Sequence, residues 1–244
     1  MNKIDDLNKY LSHAIAHYWL TRQKQSKKQV TSGRSDQGAR SAVTGGAQMD
    51  GFIGLITDLI IEAGADKLNI FHDKYLELPG FFRPTKKWDL LLVKDNQLIL
   101  ALEAKSQVGP SFGNNFNNRT EEAIGSALDL WTAYREGAYN KTIKPWLGYL
   151  FLLEDCQESR KPVSAEEPHF KVLAEFVDAS YSKRYELFCR KLVRERLYNV
   201  ATFIKSDEAA GQKGRYSEPA KDLTFDIFVR SLIGQVSAFG VPKI

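Results

Sequence analysis

At 244 residues the chain can bury a substantial core, as one large domain or two small ones. Its 43% hydrophobic and 26% charged residues exclude a disordered or fibrous protein. No apolar stretch reaches the roughly 18 residues of a membrane span, because Asp58 interrupts the best candidate. The net charge of +4 is unevenly spread: residues 1–48 carry eight Lys or Arg against three acids, so the remainder is close to neutral. A basic N-terminal arm suits a polyanion.

Along the chain, residues 3–24 place Ile4, Leu7, Leu11, Ala14, Ile15 and Tyr18 on one stripe of a helix. Residues 24–47 then lose almost every apolar side chain and gain Gly33, Gly38, Gly45 and Gly46 with Arg34 and Arg40, which predicts a mobile loop that orders on a polyanion. A second helix is expected from about Met49 to Ala63, with Gly64 as its C-cap. Strands follow near 68–77, 88–94 and 98–104, and Asp95-Asn96 supplies the turn chemistry that joins the last two as a hairpin. A long helix fits 119–137, with Thr120 as N-cap and Glu121 and Glu122 in its first turn. Trp146 to Leu153 reads as a buried strand. Beyond about 160 the pattern predicts a strand near 171–177, a helix over 181–196, a strand over 198–204 and a helix over 222–238. The segment from Gly211 to Ser217, with Lys213 and Arg215, is expected to be a flexible basic loop. On the 181–196 helix, Lys183, Arg184, Arg190, Lys191 and Arg194 make a wet side opposite apolar Tyr185, Phe188 and Leu192.

The start of the chain lacks the apolar core of a signal peptide. Cys156 and Cys189 lie far apart without metal-ligand spacing and are expected to be reduced core thiols. Together these features predict a cytoplasmic protein. The glycine pairs Gly45-Gly46 and Gly211/Gly214 lack the following Lys-Ser or Lys-Thr of a phosphate loop, so no ATP dependence is expected.

The chemistry concentrates at Glu103-Ala104-Lys105, the only acid-x-Lys triplet among 30 acidic and 34 basic residues. It closes the apolar run from Leu98, where a charge needs a partner or a metal ion to offset lost solvation. Alternate strand residues share a face, which sets Glu103 beside Lys105. Asp89 opens the neighbouring run, Trp88-Asp-Leu-Leu-Leu-Val93. Two carboxylates and a lysine at one sheet end suit divalent-metal binding and water activation beside a phosphate. Just beyond Lys105, Asn114, Asn115, Asn117, Asn118 and Arg119 are side chains of the kind that grip adenine and guanine edges. Asparagine is also a common turn residue, so a loop that caps the following helix remains open.

The stretch Pro84-Thr-Lys-Lys-Trp-Asp89, followed by Leu98 to Lys105, resembles the PD-(D/E)xK nuclease signature, with its proline displaced from the aspartate. From Phe81 to Tyr139 the chain looks closer still to one group within it, the XhoI-type restriction endonucleases. Lys105 through Asn114, Asn115, Asn117, Asn118 and Arg119 to Gly125, and then Ala127 to Arg135, carry that resemblance. The predicted order of helix, three strands, helix and strand agrees with an α/β restriction-endonuclease-like core, a central mixed β-sheet flanked by helices. On this reading residues 1–244 form a single nuclease domain, with a helix and basic arm over 1–48, the catalytic core over 49–155 and an additional α/β layer over 156–244.

The resemblance implies a type II restriction endonuclease dependent on Mg²⁺. Asp89, Glu103 and the backbone carbonyl of Ala104 would hold the ion, and Lys105 would position or deprotonate the attacking water. A further acid from the preceding helix would be Glu62, with Asp58 or Glu77 in reserve. The implied partner is double-stranded DNA, cut to 5′-phosphate and 3′-hydroxyl ends by a homodimer at the palindrome CTCGAG. Arg34, Arg40, Lys213 and Arg215 are the further expected DNA contacts. The same core also serves repair and recombination nucleases that act on DNA structure rather than sequence, and that alternative stays open at this point.

Overall fold

The structure, a computed structural model, describes residues 3–31, 47–140 and 143–240. Arg34 and Arg40 lie outside the described residues. Five strands make the central sheet: β1 (Ile70–Phe71), β4 (Leu90–Lys94), β5 (Gln97–Gln107), β6 (Trp146–Glu154) and β7 (Val200–Ser206), side by side in that order. The β1–β4 and β4–β5 pairs are antiparallel, whereas β5–β6 and β6–β7 are parallel. The sheet is therefore mixed, as the sequence predicts. A separate antiparallel ribbon, β2 (Glu77–Pro79) with β3 (Thr85–Lys87), stands between β1 and β4 in the chain.

Strand periodicity sorts the core into two layers. Trp146, Leu150 and Leu152 of β6 face one way with Leu100 and Leu102 of β5, packing on α1 (Leu7–Thr31), α2 (Asp50–Glu62) and α7 (Phe225–Gln235). Leu147, Tyr149, Phe151 and Leu153 face the other way and pack on α3 (Phe112–Arg135) and α5 (Tyr181–Arg194); the short helix α4 (Gln157–Arg160) lies between these two in the chain. Burial on both faces is why β6 reads as an unbroken apolar run rather than an alternating one. Asp95 and Asn96 both take positive φ, 50° and 58°, which is the backbone that a two-residue hairpin turn requires. Gly64, at φ 99°, follows the end of α2 as expected of a helix-stopping glycine.

Away from the site, four expectations change. Helix α1 runs on to Thr31, so the first part of the predicted loop is helical. The strand expected over 68–77 is two short pieces, because β1 pairs with β4 while β2 turns away to pair with β3. No strand forms at 171–177, where a single 3-10 turn, Ala174–Phe176, stands instead. The outer edge of β7 is already covered: Phe203 N–H donates to Leu223, and Lys205 bridges Ser217, so that edge is not free for the segment to join. The segment 211–217 is a tight turn docked on α1, after the short helix α6 (Glu208–Gly211). Gly211 lies so close to Trp19 that a Cβ would meet its ring at 2.1 Å, and Gly214, at φ 76°, abuts the Ser12 backbone. The basic side of α5 is solvated and locally paired, with Arg190 bound to Glu186 and Asp222, Lys183 to Glu186 and Lys191 to Glu175. No helix among the described residues is long and apolar enough to cross a membrane.

Candidate active site

The site forms where the sheet splits. The last ladder bond between β4 and β5 runs from Asp89 N–H to Leu102 O at 3.1 Å, and β5 continues to Gln107 alongside β6 alone. At this exposed edge the Asp89 carboxylate replaces the missing strand, its Oδ2 accepting the Ala104 N–H at 2.8 Å. Because the N–H and C=O of one strand residue point to the same side, the Ala104 carbonyl is directed to that edge too.

Glu103 and Lys105 lie on the α3 face of β5. Lys105 Nζ is 3.2 Å from Glu103 Oε1 and donates to Asp89 Oδ2 at 3.3 Å, so one ammonium gathers both carboxylates. Lys86 Nζ, from β3, also lies 3.2 Å from Glu103 Oε1 and sits 4.1 Å above the Trp88 ring. The Tyr198 hydroxyl donates to Glu103 Oε2 at 2.7 Å. Glu103 is only 2% exposed. Burial alone would raise its pKa, but Lys105, Lys86 and Tyr198 together outweigh it and hold the carboxyl below its usual range. Burial likewise works against the charge on Lys105, and Glu103 and Asp89 reverse this, raising its pKa. For Lys86 burial prevails and the pKa falls. Two carboxylates and a carbonyl at one notch are hard oxygen donors, the set that a small divalent cation takes while keeping water and phosphate oxygens as its other ligands.

The sequence matches the family described as restriction endonuclease XhoI over residues 28–218. It is 53% identical over 207 residues to the type II restriction enzyme BstVI of Geobacillus stearothermophilus, covering 83% of this chain and 92% of the relative. It is 48% identical over 170 residues to the type II restriction enzyme AbrI of Azospirillum brasilense (69% and 76% covered), and 46% identical over 181 residues to the type II restriction enzyme XhoI of Xanthomonas vasicola (73% and 72% covered). The chain belongs to the XhoI restriction endonuclease family. No solved structure matches it.

In this XhoI-family chain the notch opens into a cleft of about 1300 Å³, bounded by the β2–β3 ribbon, the start of α2 and α3 from Asn115 to Asp129. Asn115 and Arg119 line it, one helical turn apart. Asn114, Asn117 and Asn118 are exposed on other faces of the same helix. The predicted loop is thus the first two turns of α3, which starts at Phe112 rather than near 119. Thr120 is no cap, its hydroxyl donating to Phe116 O inside the helix. Phe112 and Phe116 explain the override: the first stacks on Tyr181, the second meets Tyr185 and Phe188, and this burial outweighs the poor helix propensity of Gly and Asn.

Other predicted residues stand elsewhere. The Glu62 carboxylate accepts the Lys3 backbone N–H at 2.9 Å, twelve residues and about 18 Å of helix beyond Asp50. Asp58 pairs with the Lys3 ammonium, and Glu77 faces outward from β2. None of these three lines the cleft, and neither do Lys213 and Arg215. The acid that α2 does bring to the cleft wall is Asp50, whose pKa is raised by burial first of all. Beside it the buried Gln48 Oε1 has no hydrogen-bond partner among the described residues. Lys86, Tyr198, Asp50 and Gln48 join the site beyond the residues expected from the sequence. For Lys86 a signal existed, since it precedes Lys87-Trp88 in the nuclease-like stretch. Tyr198, 95 residues from Glu103, offered none.

Proposed function

We propose that this type II restriction endonuclease hydrolyses both strands of duplex DNA within CTCGAG, using Mg²⁺, and leaves 5′-phosphate and 3′-hydroxyl ends. The observation that carries the chemistry is the convergence of Asp89, Glu103 and Lys105 on one notch at the floor of the cleft. Asp89, Glu103 and the Ala104 carbonyl would hold the ion, which supplies positive charge against the transition state and acidifies nearby water. Lys105, kept protonated by its two carboxylates, holds the attacking water or a phosphate oxygen as a hydrogen-bond donor rather than taking a proton at rest. Tyr198 fixes the Glu103 carboxylate in one orientation, as the partners of metal ligands do. Asp50 supplies the acid of the preceding helix in place of Glu62, since it alone of the α2 acids reaches the cleft.

The recognition sequence rests on likeness to the XhoI-type enzymes. A palindromic site suits a homodimer, because a two-fold protein matches a two-fold target. Both cysteines are unpaired thiols, in keeping with action in the cytoplasm. Incubating plasmid DNA with the purified protein, with Mg²⁺ or with a chelator, and sequencing the ends tests this reading. Discrete fragments ending within CTCGAG only when Mg²⁺ is present support it. Discrete fragments ending elsewhere replace the site but keep the enzyme class, and smeared or nicked DNA overturns sequence-specific cleavage.

A further inference from the structure

The tip of the β2–β3 ribbon, Gly80-Phe81-Phe82-Arg83, displays two large aromatic rings to solvent at 52% and 67% exposure. The rings meet edge to face, 4.9 Å apart. Exposed rings on a loose loop would mean little, but this loop is fixed from beneath. Buried Asp129 of α3 accepts the N–H of Phe81 at 2.7 Å and of Phe82 at 2.8 Å on Oδ1, and the Arg83 Nε at 2.7 Å on Oδ2. Gly80 N–H closes the loop onto Pro84 O at 3.2 Å, and the Tyr139 hydroxyl donates to Pro79 O. Gly80 itself leaves no room: a Cβ there would stand 2.6 Å from both Arg83 O and Asp129 Oδ2. The backbone is thus held so that both rings point away from the core, a preorganised arrangement that needs little further ordering on binding.

Phe82 lines the same cleft as Lys86, Lys87, Asn115 and Arg119, so the rings continue the surface that leads to Asp89 and Glu103. The ribbon, residues 77–87, carries Arg83, Lys86 and Lys87 against Glu77; Arg83 is paired with Asp129 and Lys86 with Glu103, and Lys87 is exposed. A rigid, exposed apolar tip beside a cleft that carries cationic side chains is the arrangement by which proteins insert a side chain between base pairs while cations hold the phosphates. We propose that Phe81 and Phe82 form a base-stacking wedge that opens one base step of bound duplex DNA. The proposal deepens the reading of the cleft as a DNA site and rests on it.

The test uses duplexes containing CTCGAG between flanks of A·T pairs, with 2-aminopurine replacing one adenine at a time and permanganate probing the thymines, with Ca²⁺ in place of Mg²⁺. Wild-type protein is expected to brighten 2-aminopurine several-fold, or expose a thymine, at one or two positions. The Phe81→Ala/Phe82→Ala variant should lose that signal and bind the duplex about ten-fold more weakly, as loss of base stacking implies. Because both rings are exposed, its melting temperature should match that of wild type. Wild-type binding with no perturbed base overturns the wedge and leaves the DNA reading standing, whereas no binding to any duplex overturns both. A signal that persists in the variant also overturns the wedge. So does a wild-type dimer that falls apart in the variant with the base signal unaltered, which assigns the rings to a second copy.

Discussion

Glu103 is a carboxylate that could not stay charged at its depth without company, and its company defines the chemistry. Lys105 and Lys86 approach one oxygen, Tyr198 binds the other, and Asp89 shares Lys105. Each partner makes a different expectation. Lys105→Ala removes the donor to water or phosphate but no base contact, so duplex binding in Ca²⁺ should be nearly unchanged while cleavage in Mg²⁺ is lost, and near-normal turnover would remove Lys105 from the reaction. Tyr198→Phe removes one buried hydrogen bond to a charged group, at a cost of about 1–3 kcal/mol in stability. It should also raise the Mg²⁺ concentration needed for half-maximal cleavage by about 10–100-fold, as for other partners of metal ligands. A metal titration that overlays wild type would make Tyr198 a packing residue only. The pair of acids and Lys105 was legible in the sequence because all three sit within seventeen residues on two apolar strands. Tyr198 was not, because long-range packing brings it in, and Lys86, although within the nuclease-like stretch, reaches the site only through a ribbon of three-residue strands that the pattern does not reveal.

At the scale of elements, α3 shows where pattern reading goes astray. Gly113 and four asparagines signal a turn, yet Phe112 and Phe116, four apart, bury against α5 and carry the helix back to Phe112. The strands β4, β5, β6 and β7 were read correctly because their apolar runs match a sheet buried on both faces. The strand expected at 171–177 failed because strand propensity cannot reveal whether a free sheet edge exists. The helical geometry divides the five candidate base-reading residues, since Asn115 and Arg119 face the cleft while Asn114, Asn117 and Asn118 do not. Asn115→Ala and Arg119→Ala are therefore expected to cost about 1–3 kcal/mol each in specific binding. The other three changes should leave the CTCGAG-to-random affinity ratio alone, measured at one salt concentration in Ca²⁺. A ratio that falls for the exposed three and holds for the cleft-facing two would remove α3 from base reading in this orientation.

Across the whole molecule, one buried carboxylate ties the cleft's outer wall to the body. Asp129 joins α3 to the ribbon through three donors. Burial pushes its pKa up, but the bonds from Phe82, Arg83 and Phe81 prevail and hold it below the usual carboxylate value. A group whose folded pKa is depressed adds stability above its unfolded pKa, near 3.9, and loses that contribution as pH falls through the folded value. Asp129→Asn keeps the shape but removes the charge, and turns an amide donor toward donors. At pH 7 it should cost about 2 kcal/mol, or about 4–8 °C in melting temperature for a chain of this size. The gap between variant and wild type should narrow as the pH falls below about 4, since the unfolded wild-type chain then binds a proton at Asp129 that the folded protein takes up only at lower pH. Melting both proteins from pH 7 down to about pH 3 decides the matter. A gap that stays constant would mean that Asp129 acts through shape alone, and the ribbon would then owe its position to Gly80 and Tyr139 rather than to a buried charge.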